Sequence, residues 1–186
     1  MSDHDHLVTL LAERSARRGN FTLASGRQST LYIDARLTTM SPEGLALIGP
    51  LGLRALRSSG WNVAAVGGLT LGADPVSYAI AYASAGTASP LRAFTVRKEA
   101  KAHGTGRLIE GPFQVGDRVA VVEDVITTGG SALRAAEAVT NAGGIVAGVL
   151  ALVDREEGGR EALLDAGLSV VSLARASDVV ARLPRS

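Results

Sequence analysis

Two adjacent acids stand between an apolar run and a glycine-rich segment in this chain of 186 residues. The apolar run is 119–122, the acids are Glu123 and Asp124, and TTGGS follows at 127–131. The glycines let the backbone approach a ligand closely, and the hydroxyls and the free N–H groups of the following helix suit a phosphate monoester. Because carboxylates would repel that phosphate, we expect them to accept the 2- and 3-hydroxyl protons of an attached ribose, or to assist a Mg²⁺ shared with the sugar or with a second phosphate.

The same segment fits neither of two common nucleotide-binding motifs. A Walker A loop requires a lysine after its second glycine, and no lysine is present here. The dinucleotide fingerprint GxGxxG is also missing after the apolar run. A strand end followed by ordinary Ser, Thr and Gly helix capping is the non-functional alternative. The order of acids, threonines, glycines and serine favours a sugar-phosphate site.

A second cluster of reactive side chains is cationic. Between 97 and 107 one acid, Glu99, accompanies Arg97, Lys98, Lys101, His103 and Arg107. Glycines interrupt this stretch, and it has no apolar periodicity from 97 to 106. Such a composition is typical of a mobile lid over a polyanionic substrate, although a solvated charged hairpin has the same composition.

Short apolar runs alternate with helical patterns along the chain and must position these groups. Strands are expected at 63–66, 93–96, 119–122, 145–153 and 170–173, with two more within 21–37. Helices are expected at 5–18, at 41–58 with Ser41 as N-cap, from about Pro75, and at 131–141. This alternation predicts an α/β fold with a central, mainly parallel sheet flanked by helices. Ligands bind beyond the carboxyl ends of such strands, so 67–75, 123–131 and 154–155 are expected to meet there.

Length and composition are those of one soluble domain. We expect a single domain over 1–186, with an N-terminal segment of about 1–40 and a core of about 41–186. The net charge of +1 gives no global field for nucleic acid or an anionic membrane, so we expect neither partner. Without cysteine the chain has no disulfide framework or thiolate metal site, which suits the cytoplasm. The first residues lack the pattern of a signal peptide.

Several motifs resemble those of a known family. VAVVEDVITTGGSA resembles the ribose-5-phosphate-binding signature of the type I phosphoribosyltransferases, whose donor is 5-phosphoribosyl 1-diphosphate. RKEAKAHG followed by LIEG resembles the catalytic loop of the orotate phosphoribosyltransferases. FTLASGRQSTLYIDAR, GGLTLGADP and LVDREEGG resemble that family's substrate segment, its pyrophosphate-side loop and its orotate-binding strand end.

This resemblance implies the fold, the reaction and the partners. The fold would be that of a type I phosphoribosyltransferase, with a small hood built from the N- and C-terminal segments. The reaction would join orotate and 5-phosphoribosyl 1-diphosphate into orotidine 5′-monophosphate and diphosphate, a step of pyrimidine biosynthesis. The family uses Mg²⁺, held mainly through the substrate, so no protein ligand to the metal is assigned. It works as a homodimer in which each lid extends over the neighbouring active site.

The resemblance also assigns roles to individual residues. Arg97, Lys101 and His103 of one subunit, with Lys98 of the other, would contact the diphosphate, while Glu123 and Asp124 hold the ribose. The catalytic set would be Arg97, Lys101, His103 and Asp124. The donor-binding set would be Arg97, Lys98, Lys101, His103, Glu123, Asp124, Val125, Ile126, Thr127, Thr128, Gly129, Gly130 and Ser131. Orotate would be bound by Thr127 and Arg155.

The chain departs from the family pattern at two positions. Many family members carry a lysine where this chain has Ala24, and some carry another near Gly72. Backbone N–H groups of 67–73 and the metal could compensate, or Arg27 could move in.

Three other functions remain open at this point. A purine phosphoribosyltransferase shares the 123–131 segment but has no need of RKEAKAHG or Arg155. A regulator that keeps the fold and binds nucleic acid would not need an intact catalytic loop. A diphosphokinase would need an ATP site, which the sequence does not display.

Overall fold

The computed structural model describes residues 1–22, 28–99 and 108–184. Its helices are α1 (Asp3–Leu10), α2 (Arg36–Thr39), α3 (Pro42–Ser58), α4 (Ala73–Ser84), α5 (Gly130–Asn141), α6 (Gly159–Asp165) and α7 (Ala176–Ala181). Its strands are β1 (Ala16–Thr22), β2 (Gln28–Ile33), β3 (Ala65–Leu69), β4 (Arg92–Val96), β5 (Ile109–Glu110), β6 (Arg118–Ile126), β7 (Ile145–Asp154) and β8 (Val170–Arg175). A π-helical turn, Leu11–Ser15, continues α1.

The central sheet is mainly parallel, as predicted. Within the described residues its strands lie in the order β5-β4-β3-β6-β7-β8. All neighbouring pairs are parallel except β4 and β5, which are antiparallel. β1 and β2 form a separate antiparallel pair. The long parallel crossovers place the carboxyl ends of β3, β6 and β7 at one edge of the sheet.

Helices cover both faces of the sheet. This is why the sequences of its central strands are continuous apolar runs. Val122 and Leu150 face one layer of buried side chains, to which α1, α3, α4 and α7 contribute. Val121 and Val149 face the other layer, with α5 and α6. Successive side chains of a strand point to opposite faces, so both must be apolar when both faces are covered.

The helix predicted at 41–58 has the expected cap. Ser41 Oγ accepts a hydrogen bond from the Gly44 N–H at 3.1 Å, and Pro42 occupies the first helical position. α3 packs closely on α4, because a Cβ atom at Gly49 would lie 2.7 Å from the Ala79 carbonyl oxygen. Within the described part of the chain, no helix is both long and apolar enough to cross a membrane.

Several predicted boundaries were wrong. The helix expected over 5–18 gives way to β1 at Ala16, because Arg17 and Arg18 pair with Tyr32 and Leu31 of β2. The strand expected to end at Val122 continues to Ile126, where β6 still pairs with β7.

Smaller differences occur elsewhere along the chain. β3 occupies Ala65–Leu69 instead of 63–66, and α4 begins at Ala73 instead of near Pro75. The last helix begins at Ala176, directly after β8, with Arg175 at its N-cap position.

Candidate active site

One cavity of about 520 Å³ lies at the carboxyl edge of the sheet. The three segments expected to meet do so here, since Thr70, Asp124 and Arg155 all line it. The end of β2 closes the opposite side with Tyr32 and its neighbours. The cavity is therefore bounded by residues that are far apart in sequence.

The two acids of β6 occupy different environments. Asp124 lines the cavity, and its Oδ1 accepts a hydrogen bond from the Val125 N–H at 2.8 Å. Glu123 is 8% exposed, and its Oε2 has no hydrogen-bond partner among the described residues. Burial, followed by the negative charge of Asp124, raises the pKa of Glu123 from 4.5 to about 9. Glu123 therefore holds a proton at neutral pH in the unliganded site.

The glycine-rich segment forms an open cradle at the start of α5. Gly129 adopts φ +81° immediately before the helix, and no side chain caps the first turn. The first N–H groups of α5 have no acceptor within the helix and point back toward the loop. Thr127, Thr128 and Ser131 line the cavity beside them. This end of the helix can bind an anion through its N–H groups and hydroxyls.

The other residues of this segment have supporting positions. Val125 lines the cavity. Ile126 is buried, and its carbonyl oxygen accepts the Arg155 N–H at 2.9 Å. A Cβ atom at Gly159 would lie 2.6 Å from the Thr127 carbonyl oxygen, so α6 packs directly against the cradle.

Arg155 lies at the end of β7 and is 6% exposed. Its Nη2 donates to Ser29 Oγ and to the Leu31 carbonyl oxygen, both at 3.1 Å, and to Glu157 Oε1 at 2.5 Å. Its Nε has no partner among the residues described. Arg155 thus connects β2 to the end of β7 and keeps one buried donor for another acceptor.

The cationic segment 97–107 is described only at its beginning. Lys98 lines the cavity of its own chain. Arg97 forms an ion pair with Glu110 at 3.5 Å and donates from Nε to the Glu99 carbonyl oxygen at 3.4 Å. Lys101 and His103 lie outside the described residues, as do Ala24 and Arg27.

Known proteins resemble this chain over nearly its whole length, although no family model matches it. The orotate phosphoribosyltransferase of Aquifex aeolicus is 45% identical over 183 residues, covering 97% of this chain and 99% of the relative. That of Mycobacterium tuberculosis is 49% identical over 175 residues, covering 92% and 95%. The chain belongs to the orotate phosphoribosyltransferase family.

Solved structures agree with this family assignment. The Mycobacterium tuberculosis orotate phosphoribosyltransferase in complex with 5-phospho-α-D-ribosyl 1-diphosphate has a TM-score of 0.79 at 41% identity, covering 96% of this chain and 99% of that one. The adenine phosphoribosyltransferase of Leishmania donovani, at a TM-score of 0.67 and 18% identity, shares the fold alone. Proteins outside the family therefore share this fold. It is the sequence identity that assigns this chain to the orotate phosphoribosyltransferase family.

The structure gives a reason for one departure from the family pattern. A Cβ atom at Gly72 would lie 2.5 Å from the Asp124 carboxyl group. Any side chain at Gly72 would require the Asp124 carboxyl group to move, so in the observed arrangement the loop approaches the acid as bare backbone.

Several cavity residues were not singled out from the sequence, and four of them carry charged or aromatic side chains. Tyr32 of β2, Asp34 directly after it and Arg36 at the start of α2 line the cavity, and Arg134 lines it from α5. Arg36 donates to both carboxylate oxygens of Asp34, at 2.8 and 2.9 Å, and this interaction lowers the pKa of Asp34. The first three belong to FTLASGRQSTLYIDAR, so the motif identified this substrate segment but did not show which of its residues line the cavity. Arg134 lies one helical turn after Ser131, and that spacing could have identified it.

Proposed function

We propose that this member of the orotate phosphoribosyltransferase family transfers the 5-phosphoribosyl group from 5-phosphoribosyl 1-diphosphate to orotate. The bond between C1 of the ribose and the diphosphate oxygen breaks, a bond between C1 and a ring nitrogen of orotate forms, and that nitrogen loses its proton, which the departing diphosphate can accept. Orotidine 5′-monophosphate and diphosphate are the products. The observation that carries this proposal is the meeting of the acid pair, the anion cradle and Arg155 in one cavity.

The donor is expected to bind with its ribose against β6 and its 5-phosphate at the start of α5. Asp124 accepts the ribose hydroxyl protons. Glu123, protonated in the unliganded site, offers a carbonyl oxygen to a hydroxyl and an O–H to a neighbouring acceptor. The hydroxyls and N–H groups of 127–131 hold the phosphate.

The transition state calls for cations beside the leaving group. As the C1–O bond breaks, positive charge develops on the ribose and additional negative charge on the diphosphate. Groups that interact more strongly with the departing oxygens than with the bound donor lower the barrier. Lys98, Arg97, Lys101 and His103 have this role in the proposal, and a protonated His103 can also donate a proton.

The site also suits Mg²⁺ held mainly through the substrate. The carboxylate oxygens of Asp124, which line the cavity, are the kind of ligand that Mg²⁺ prefers, and donor phosphates would complete its coordination. When bound, the ion would offset negative charge on the diphosphate.

Orotate is expected to lie between the ribose and the end of β7. Its carboxylate accepts hydrogen bonds from the Arg155 guanidinium, whose Nε donor is unpaired among the described residues. Thr127 contributes a contact to the base. Arg155 is already held by Ser29, Leu31 and Glu157, so it requires little reorganisation to bind the base.

We also propose a cytoplasmic homodimer in which lid residues are shared between subunits. An apolar groove between α3 and α4, lined by Leu45, Tyr78 and Tyr82 among others, supports a second copy as the partner. The sharing of Lys98, Lys101 and His103 across this dimer stays a prediction.

One absorbance assay tests the reaction. Orotate consumption is followed with Mg²⁺, in the presence and in the absence of 5-phosphoribosyl 1-diphosphate, and adenine, guanine and hypoxanthine are offered as alternative bases. We expect consumption of orotate that requires the donor and none of the purines. Consumption of a purine in place of orotate would favour a purine phosphoribosyltransferase.

A further inference from the structure

A buried carboxylate lies directly behind the loop that approaches Asp124. Asp74, in the first turn of α4, is 8% exposed. Its Oδ2 accepts a hydrogen bond from Thr70 Oγ1 at 2.7 Å, and its Oδ1 accepts one from Thr95 Oγ1 at 2.8 Å. Thr70 belongs to the loop after β3, and Thr95 belongs to β4. One side chain therefore connects three elements.

The directions of these hydrogen bonds follow from the number of protons. Thr95 has one hydroxyl proton and donates it to Asp74, so it must accept from the hydroxyl of Tyr78, which lies at 2.8 Å. Thr70, Thr95 and Tyr78 thus form a network in which every donated proton is directed toward the Asp74 carboxylate. A network that is fully satisfied in this way holds its members in one arrangement.

The network reaches the substrate cavity on two sides. Thr70 lines the cavity, and its N–H donates to the Val96 carbonyl oxygen at 2.8 Å. Two residues after Thr70, Gly72 approaches the Asp124 carboxyl group. Three residues after Thr95, Lys98 lines the same cavity. Asp74 itself does not line it, so any effect on substrate passes through Thr70 and Thr95.

Helix capping does not account for Asp74. The first turn of α4 has no side-chain cap, and both Asp74 oxygens accept hydroxyl protons. An acid in the first turn also benefits from the helix dipole, but this would stabilise α4 without selecting the two threonines.

We propose that Asp74 is a positioning residue for the donor's diphosphate: it fixes the 70–72 loop against the end of β4, so that the backbone of this loop faces the leaving group in one geometry. This inference rests on the proposed function and extends it to a residue that does not touch substrate. It gives the chain a means of ordering a diphosphate loop that lacks a lysine.

Paired variants of Thr95 test this role. Thr95→Val keeps the branched shape and removes the hydroxyl, whereas Thr95→Ser keeps the hydroxyl. We expect Thr95→Val to raise KM for 5-phosphoribosyl 1-diphosphate, and its Kd by calorimetry, about fivefold, corresponding to one lost hydrogen bond. KM for orotate should change by less than about twofold, and Thr95→Ser should restore donor binding. Asp74→Asn should raise the donor KM more than Thr95→Val does. The asparagine amide places an NH₂ donor where one of the two threonine hydroxyls needs an acceptor.

Ser77→Ala is the matched control. Ser77 is buried one turn along α4, and its hydroxyl donates only to the Ala73 carbonyl oxygen among the bonds of the described residues. We expect it to lower Tm with donor KM unchanged. The inference is overturned if Thr95→Val binds the donor normally or if Thr95→Ser fails to restore donor binding. It is also overturned if Thr95→Val raises KM equally for donor and orotate, or if Ser77→Ala raises the donor KM as much as Thr95→Val does. An inactive wild-type protein would instead refute the proposed function.

Discussion

At the scale of single residues, the two adjacent acids of β6 differ in their burial. Both line the cavity, but Glu123 is 8% exposed, whereas Asp124 is only partly buried. Burial and, after it, the negative charge of Asp124 together raise the pKa of Glu123 to about 9. The pair is therefore suited to one accepting carboxylate and one neutral acid.

This arrangement predicts a pH-dependent stability. The folded protein retains a proton on Glu123 that the unfolded chain releases above a pKa of 4.5. Between this value and about 9, rising pH lowers the free energy of unfolding by up to about 1.4 kcal/mol per pH unit from this group. Glu123→Gln cannot ionise and removes this slope. In urea unfolding between pH 5 and 8, the free energy of unfolding of Glu123→Gln minus that of the wild type should increase as the pH rises.

Glu137→Gln, which changes an exposed acid on α5, is the control and should leave the slope unchanged. A constant difference between Glu123→Gln and wild type at every pH would contradict the raised pKa.

Sequence reasoning located these residues and missed their interactions. The order of acids, hydroxyls and glycines at 123–131 predicted a sugar-phosphate site, and residues of this segment line one cavity because they are neighbours in sequence. Their contacts with ribose and phosphate stay a prediction. The proton on Glu123 and the bonds of Arg155 to Ser29 and Leu31 were not predictable, because they depend on segments that only the fold brings together.

At the scale of elements, the cradle depends on close approach of α6 to the loop before α5. Gly129 combines a positive φ with a tight environment, since a Cβ atom there would lie 2.9 Å from the Gly159 carbonyl oxygen. Gly130 begins α5, and a Cβ atom there would meet nothing closer than 3.8 Å. Neighbouring glycines therefore have different requirements.

Alanine substitution should separate the two glycines. Gly129→Ala is expected to destabilise the protein by about 1–2 kcal/mol from backbone conformation alone, with more from the close contact. Gly130→Ala should be neutral or stabilising by up to about 1 kcal/mol, because alanine favours helix. Urea unfolding of both variants provides the measurement, and equal stability would contradict the described cradle.

Element types were more predictable than element ends. Apolar runs identified the parallel strands, because both faces of the sheet are covered. Pairing with a neighbouring strand determined where each strand begins and ends. Arg17 and Arg18 belong to β1 because they pair with β2, and β6 continues to Ile126 because it still pairs with β7 there. Local helix propensity at 16–18 could not reveal a partner strand whose paired residues follow 13 to 17 residues later.

At the scale of the whole molecule, the apolar groove between α3 and α4 is the surface on which we place the second subunit. Tyr82 is 86% exposed in this groove. Tyr78, in the same groove, belongs to the network that ends on Asp74. Dimer formation would therefore cover a surface linked by hydrogen bonds to the diphosphate-side loop.

A charged residue in the groove should disrupt this dimer. Tyr82→Arg is expected to shift the protein toward monomer in sedimentation experiments, because burying an unpaired charge at an interface is costly. Val115→Arg is the control, since Val115 is 83% exposed away from α3 and α4. A Tyr82→Arg variant that stays dimeric would place the interface elsewhere.

The central claim is that β6 and the start of α5 together hold the ribose 5-phosphate. A crystal structure with 5-phosphoribosyl 1-diphosphate and Mg²⁺ tests it most directly. We expect the ribose hydroxyls against Asp124 and Glu123 and the 5-phosphate at the N–H groups of 127–131. The donor bound elsewhere, with this cavity empty, would contradict the account.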